Sequence, residues 1–247
     1  AGGGTASFFY HGELVFWDVR HPEQTIIVSL EDERYRKLII EPQPRRPRCF
    51  VVAGTADFIG RRRGDLGDDE DAMSSVSLDR RRLGRTALEV TSLCLGTAPL
   101  GDMPEAFGFS VPEDRALATL RAAFSSPITF IDTSANYGNG TAERRIGVVL
   151  GEVGGLAPGR VLATKADRDM TTGDFSGDQM KRSVEESLQR LGLDQLQFVY
   201  IHDPEHTTFE HVMARGGALD VLQRLQRQGV IGDLGISGGP IDMLIRY

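Results

Sequence analysis

The stretch Thr129-Phe130-Ile131-Asp132-Thr133-Ser134-Ala135-Asn136-Tyr137-Gly138 runs an apolar segment of strand length into an acidic residue, then into a loop that carries a tyrosine. The same arrangement recurs along the chain. Strands are expected at Ser92 to Gly96, Thr129 to Asp132, Val161 to Lys165, Leu196 to His202 and Gly232 to Ser237. Between them, helical patterns run from Pro112 to Phe124, Ala142 to Gly151, Asp178 to Leu191 and Phe209 to Gln228, with a further helix beginning near Gly239. In the pattern from Asp178, residues Met180, Val184, Leu188 and Leu191 fall three or four apart, while Lys181, Glu185, Glu186 and Arg190 take the other face. Each strand is thus followed by a helix, as a parallel sheet requires, because parallel neighbours can be joined only by a crossover. The expected fold class is α/β.

Composition agrees with a packed domain. The chain has 247 residues, 40% hydrophobic and 26% charged, near the averages of globular proteins. Its formal net charge of -7 disfavours a nucleic-acid partner, which needs a basic face. Basic clusters at Arg61 to Arg63 and Arg80 to Arg82 flank an acidic run that offsets them. Two cysteines, Cys49 and Cys94, are too few for a disulfide framework and lack metal-ligand spacing, so no metal is expected. No apolar run approaches the ~20 residues that span a bilayer, and Ala1 to Ser7 lacks signal-peptide character. The expected setting is cytoplasmic, with no membrane partner.

The first 77 residues read differently. Strand-like runs occur at Glu13 to Trp17, Thr25 to Leu30 and Leu38 to Glu41, so 1–41 is expected to be a small α+β-like segment of unassigned role. Residues 42–77 hold Pro42, Pro44 and Pro47, with five acids in the seven positions from Asp65 to Asp71, and read as a linker or a poorly structured stretch. The regular β/α pattern occupies 78–247.

In parallel β/α folds the chemistry gathers beyond the C-terminal ends of the strands. Asp132 ends the second strand, Tyr137 lies in the loop after it, Lys165 ends the third and His202 ends the fourth. Singly, each has a plain structural reading. Four such residues at successive strand ends suit hydride transfer coupled to proton transfer at a carbonyl or alcohol. Tyr137 would be the acid or base; Lys165 would stabilise its phenolate and lower its pKa from ~10. Asp132 would hold the lysine ammonium, and His202 would orient the carbonyl or help relay the proton. The glycine-rich stretches Gly138 to Gly140 and Gly235 to Gly239 lack dinucleotide-fingerprint spacing, which disfavours a Rossmann fold.

These motifs resemble the aldo-keto reductase superfamily. The resemblance rests on Leu83-Gly84-Arg85-Thr86, Leu95-Gly96-Thr97-Ala98, Phe130 to Gly138, Ala163-Thr164-Lys165 and Tyr200-Ile201-His202, with Glu143 and Gly147 in the following helix. It implies a (β/α)8 TIM barrel of which about the first five β/α units are present, the chain ending before three further strands. It also implies an NAD(P)-dependent oxidoreductase using NADP or NAD, with Gly96, Thr97, Asp132 and Ser237 at the nicotinamide end of the cofactor. Many members carry Ser-Asn where this chain has Ser237-Gly238. That run, with Asn136 to Glu143, resembles the branch of D-threo-aldose 1-dehydrogenase and L-fucose dehydrogenase, which implies a sugar or other small carbonyl substrate. Two alternatives remain: a truncated product with little activity by itself, and a non-catalytic cofactor-binding or interaction module of the same fold.

Overall fold

A computed structural model describes residues 78–247 and, before them, the backbone of three strands, β1 (Thr5–Tyr10), β2 (Glu13–Asp18) and β3 (Ile26–Ser29). The described residues fall into two compact units, the three strands with Pro104–Ser110 and the remainder. In the first unit β2 pairs antiparallel with β1 and with β3, so that Thr5 faces Asp18 and Glu13 faces Ser29. The expected strands at Glu13 to Trp17 and Thr25 to Leu30 correspond to β2 and β3, whereas β1 was not anticipated. Thr5-Ala6-Ser7 offers little apolar signal, and it is pairing with β2 that makes it a strand. The expected strand at Leu38 to Glu41 and the linker at 42–77 lie outside the described residues. Pro104–Ser110 contains the short helix α1 (Pro104–Phe107).

The second unit is built on five parallel strands, β6 (Cys94–Gly96), β7 (Phe130–Asp132), β8 (Val161–Ala166), β9 (Leu196–His202) and β10 (Ile231–Ser237). They pair in strict sequence order, β6 with β7, β7 with β8, β8 with β9 and β9 with β10. A doubly wound sheet reverses direction at a switch point; this winding does not, and it fits a (β/α)8 fold. Alternation sends Leu95, Ile131, Leu162 and Val199 to the helix-covered face, where each is buried. Asp132, Lys165, Tyr200 and His202 are set on the other parity, toward the inner face and its mouth.

The helices are α2 (Glu113–Phe124), α3 (Thr141–Val153), α4 (Gly177–Leu191), α5 (Phe209–Met213), α6 (Ala218–Arg227) and α7 (Ile241–Leu244). In α4, Met180, Val184 and Leu191 are fully buried, as their spacing requires, and the Ser176 hydroxyl caps the first turn by accepting from the Gln179 N–H. Arg190 departs from the expected solvent face. It turns toward the buried Glu143 of α3 and donates to it at 2.7 Å. The single helix expected from Phe209 to Gln228 is two helices, α5 and α6, because the chain leaves helical geometry at Ala214, which is extended, and at Gly216, whose φ is +75°, and the glycine pair is then closely packed. A Cβ on Gly217 would lie 2.5 Å from the His211 carbonyl oxygen, and one on Gly177 would lie 2.2 Å from that of Gly216.

Below the N-terminal ends of the strands lies a hairpin, β4 (Arg80–Arg82) with β5 (Glu89–Thr91). Thr91 and Thr129 exchange backbone-to-hydroxyl bonds at 3.2 and 3.0 Å, and Arg80 donates to the Gly159 carbonyl at 2.9 Å. Among the described residues, no helix is long and apolar enough to cross a membrane.

The contact between α3 and α4 is close enough to dictate a residue. A Cβ on Gly147 would sit 2.0 Å from the Arg190 carbonyl oxygen, whereas one on Gly151 would meet nothing within 4 Å. Gly147→Ala is therefore expected to cost about 1–3 kcal/mol by forcing the helices apart. Gly151→Ala is expected to be neutral or to stabilise by up to about 1 kcal/mol through helix propensity. Urea unfolding of the two variants checks this; equal effects would contradict the packing.

Candidate active site

Lys165 is the centre of the site. It lies one residue from the end of β8, is only 4% exposed, and its ammonium has three hydrogens to place. All three find acceptors: Asp132 Oδ1 at 2.5 Å, the Thr133 carbonyl at 2.7 Å and the Tyr137 hydroxyl oxygen at 3.2 Å. The tyrosine oxygen accepts from the lysine, so its own hydrogen is left to point elsewhere. The Lys165 Nζ also stands 4.7 Å from the centre of the Tyr137 ring.

Loop geometry presents Tyr137 to the lysine. The Tyr137 N–H donates to the Ser134 carbonyl at 3.2 Å, and the Ala142 N–H donates to the Tyr137 carbonyl at 3.1 Å. Gly138 follows with φ +61°, and a Cβ there would collide with the backbone of Gly101. Only a glycine gives both the left-handed turn and the close approach. His202, at the end of β9, sets its ring edge-on to Tyr137 with the ring centres 6.2 Å apart. The structure thus brings Asp132, Tyr137, Lys165 and His202 to one mouth.

Electrostatics modify the reading of the pair. Burial pushes the Tyr137 phenol above its ordinary value of 10.0, and Lys165 pulls it down by less. The expectation of a lowered tyrosine pKa is corrected here: desolvation outweighs the cation. Burial would also lower Lys165, but the charge of Asp132, with Tyr137, overcomes it and holds the ammonium above its ordinary 10.5. A lysine cation beside a protonated phenol is the resting state at neutral pH.

Of the four residues expected at the nicotinamide, the structure separates one from the rest. Thr97 is fully buried, and its hydroxyl donates to the Asp132 carbonyl at 2.9 Å. It ties the end of β6 to β7 and in this structure its side chain serves as a support. Gly96 pairs with Asp132 in register, and open space lies where its side chain would be. Asp132 is about a quarter exposed (24%), and Ser237 pairs in register with His202. Gly238 has a reason of its own. A side chain there would meet the Glu205 carboxylate, which accepts from the Gly239 N–H at 2.8 Å.

Sequence reasoning missed Asp167, Ser134 and Asn136. Asp167 is 2% exposed, and its carboxylate accepts from the Ser134 hydroxyl at 2.6 Å and from the Asn136 side-chain amide at 2.9 Å, and it contacts His202 Nδ1. The signal was present: alternation puts Lys165 and Asp167 on the same side of the chain, so extending the strand by one period would have found it.

A profile of the aldo/keto reductase family matches residues 92–246, and the chain belongs to that family. It is 35% identical over 168 residues to the L-galactose dehydrogenase of Arabidopsis thaliana, covering 68% of this chain and 51% of that protein. It is 29% identical to a D-threo-aldose 1-dehydrogenase of a Pseudomonas species, covering 64% and 53%. The solved holo form of an aldo-keto reductase from Bacillus halodurans superposes with a TM-score of 0.56 at 25% identity, covering 69% and 53%. The chain spans about half the length of these relatives.

The Lys165–Asp132 pair carries a pH signature. Lys165 is raised in the fold, so the stabilisation from its charge is complete below about pH 10.5 and is lost as the pH rises through the folded value. Asp132→Asn is expected to cost about 1.5–3 kcal/mol at pH 7, the worth of a hydrogen bond to a charged group. The gap to the unsubstituted protein should hold from pH 7 to pH 9 and shrink above about pH 10.5. Denaturant melts across that range test it; a gap that widened with pH would contradict the assignment.

Proposed function

We propose that this chain carries the proton-transfer centre of an NAD(P)-dependent oxidoreductase that interconverts a carbonyl and an alcohol, with an aldose or related sugar as substrate. The observation that carries the proposal is the saturation of Lys165 by Asp132, Thr133 and Tyr137, which leaves the Tyr137 hydrogen free for a substrate oxygen. Tyr137 is the general acid in reduction and takes the proton back in oxidation. Lys165 stabilises the phenolate as it forms, and Asp132 keeps Lys165 charged and in place. His202 meets the same substrate oxygen from the β9 side.

The nucleotide is NADP or NAD, and when bound its nicotinamide supplies or accepts the hydride. Gly96, with open space where its side chain would be, the partly exposed Asp132 and Ser237, in register with His202, would hold the nicotinamide end. The sugar assignment is supported by the names of the two dehydrogenase relatives. The presence of all four groups, Asp132, Tyr137, Lys165 and His202, at one mouth argues against a non-catalytic module of the same fold. Location in the cytoplasm belongs to the same proposal.

In the full-length gene product, Tyr137→Phe is expected to lower kcat by about 10²- to 10⁴-fold, the usual worth of a positioned acid or base, with the cofactor dissociation constant unchanged. Unchanged turnover with aldoses would overturn the reading. The phenol is held above 10.0, so the loss of carbonyl reduction that follows its deprotonation should set in only above pH 10.

A further inference from the structure

We propose that Asp167 is a positioning residue of this site, holding His202 with its proton on Nδ1 so that Nε2 is presented as a hydrogen-bond acceptor to a substrate hydroxyl. The inference rests on the oxidoreductase reading above and specifies the form in which the substrate is recognised.

Each group around the Asp167 carboxylate is a donor. Oδ2 accepts from the Ser134 hydroxyl at 2.6 Å and the Asn136 backbone N–H at 3.1 Å, and Oδ1 accepts from the Asn136 side-chain amide at 2.9 Å. Oδ1 also meets His202 Nδ1. A carboxylate offers only lone pairs, and this one is buried away from water, so the nitrogen against it must bring the hydrogen. Ser134 offers no competing arrangement. Its oxygen is 3.3 Å from Nδ1, but its single hydrogen is already committed to Asp167 at the shorter distance. The carboxylate is itself fixed from behind, since its backbone N–H donates to the Ser183 hydroxyl at 3.0 Å and its carbonyl accepts from the Gln179 side chain at 3.0 Å.

A neutral imidazole with Nδ1 protonated has a bare Nε2. That atom lies 3.5 Å from Asp203 Oδ1, but the Asp203 side chain is 36% exposed and has water to satisfy it, so unlike Asp167 it does not require a hydrogen from the imidazole; the Tyr137 ring stands edge-on to the same imidazole. In the resting state Tyr137 brings a donor to the mouth and His202 brings an acceptor; for oxidation the alcohol must turn its hydrogen from His202 to the tyrosine oxygen once that oxygen is deprotonated, so the pairing concerns binding and not the proton transfer itself. A hydroxyl can satisfy both at once; a carbonyl oxygen, which only accepts, can satisfy only the tyrosine. The pair is therefore complementary to the substrate as an alcohol, including the ring hydroxyl of a cyclic hemiacetal. The sequence-based role of His202 was to orient the carbonyl or help relay the proton; the arrangement here adds recognition of the alcohol.

The test begins with the unsubstituted full-length protein, labelled with ¹⁵N-histidine, in a long-range ¹H–¹⁵N spectrum at pH 8, with His202→Gln used to assign the signal. The expected pattern is a proton on Nδ1 and none on Nε2. A proton on Nε2, alone or together with one on Nδ1, would overturn the proposal. Asp167→Asn supplies the second measurement. The Asn136 backbone N–H, which is shared between Asp167 Oδ2 and the Ser134 oxygen, cannot turn round, whereas the Asn136 side-chain amide can, so the favoured setting keeps the new oxygen at that N–H and its NH2 against Nδ1. His202 should then move its proton to Nε2. KM for the alcohol is expected to rise about three- to tenfold, with that for the carbonyl unchanged or lower. Unchanged KM for both, in a variant whose spectrum shows the shifted proton, would also overturn it. The spectrum needs no turnover. A dead Tyr137→Phe with a protonated Nε2 defeats this proposal alone, while an active Tyr137→Phe with a protonated Nδ1 defeats the function alone.

Discussion

A lysine ammonium removed from water loses several kcal/mol of hydration unless each of its hydrogens is met by an acceptor, and that demand organises the mouth of the sheet. Lys165 satisfies it with three atoms from a single short segment, Asp132, Thr133 and Tyr137. The last residue of β7 and the loop after it are thereby pinned to β8. From that constraint others follow. Thr97 clamps the Asp132 carbonyl from β6, and Gly138 lets the tyrosine loop close against Gly101. The site is assembled by a buried charge that leaves its neighbours little freedom.

Other buried and half-buried charges serve the framework. Glu143 is fully buried between α3, α4 and β8, where it accepts from Arg190 at 2.7 Å and from the Thr164 hydroxyl at 2.5 Å. Arg145 donates to the carbonyls of Leu100 at 2.6 Å and Val111 at 3.0 Å. Arg160 reaches the carbonyls of Phe124, Ser126 and Ile128, closing the C-terminal end of α2. Such groups add less net stability than apolar packing would, but they tolerate few alternative arrangements. They hold the helices at fixed positions on the outer face while Lys165 and Asp167 hold the inner mouth.

The fold was legible to a large degree. Apolar runs set the five parallel strands within a residue or two, and the helical periods placed α2, α3 and α4 closely, since burial on one face imposes a repeat that composition cannot hide. Misreadings fell where packing overrides local pattern. The apolar period continues across Gly216-Gly217 and so hides the break between α5 and α6, and β1 needs β2 to become a strand. Arg190 has the spacing of a surface residue but is drawn inward by Glu143.

By itself, the sequence determined the winding of the sheet and the arrival of Asp132, Tyr137, Lys165 and His202 at one set of strand ends, because strand alternation and parallel connection are local rules. Tertiary structure alone decided how those groups are tuned. The lysine's three acceptors, the excess of burial over charge at Tyr137, the withdrawal of Thr97 from the surface and the place of Asp167 behind His202 all depend on distances between segments 28 or more residues apart. Hydrogen-bond saturation and desolvation are properties of enclosed space, and a chain read in one dimension encloses none.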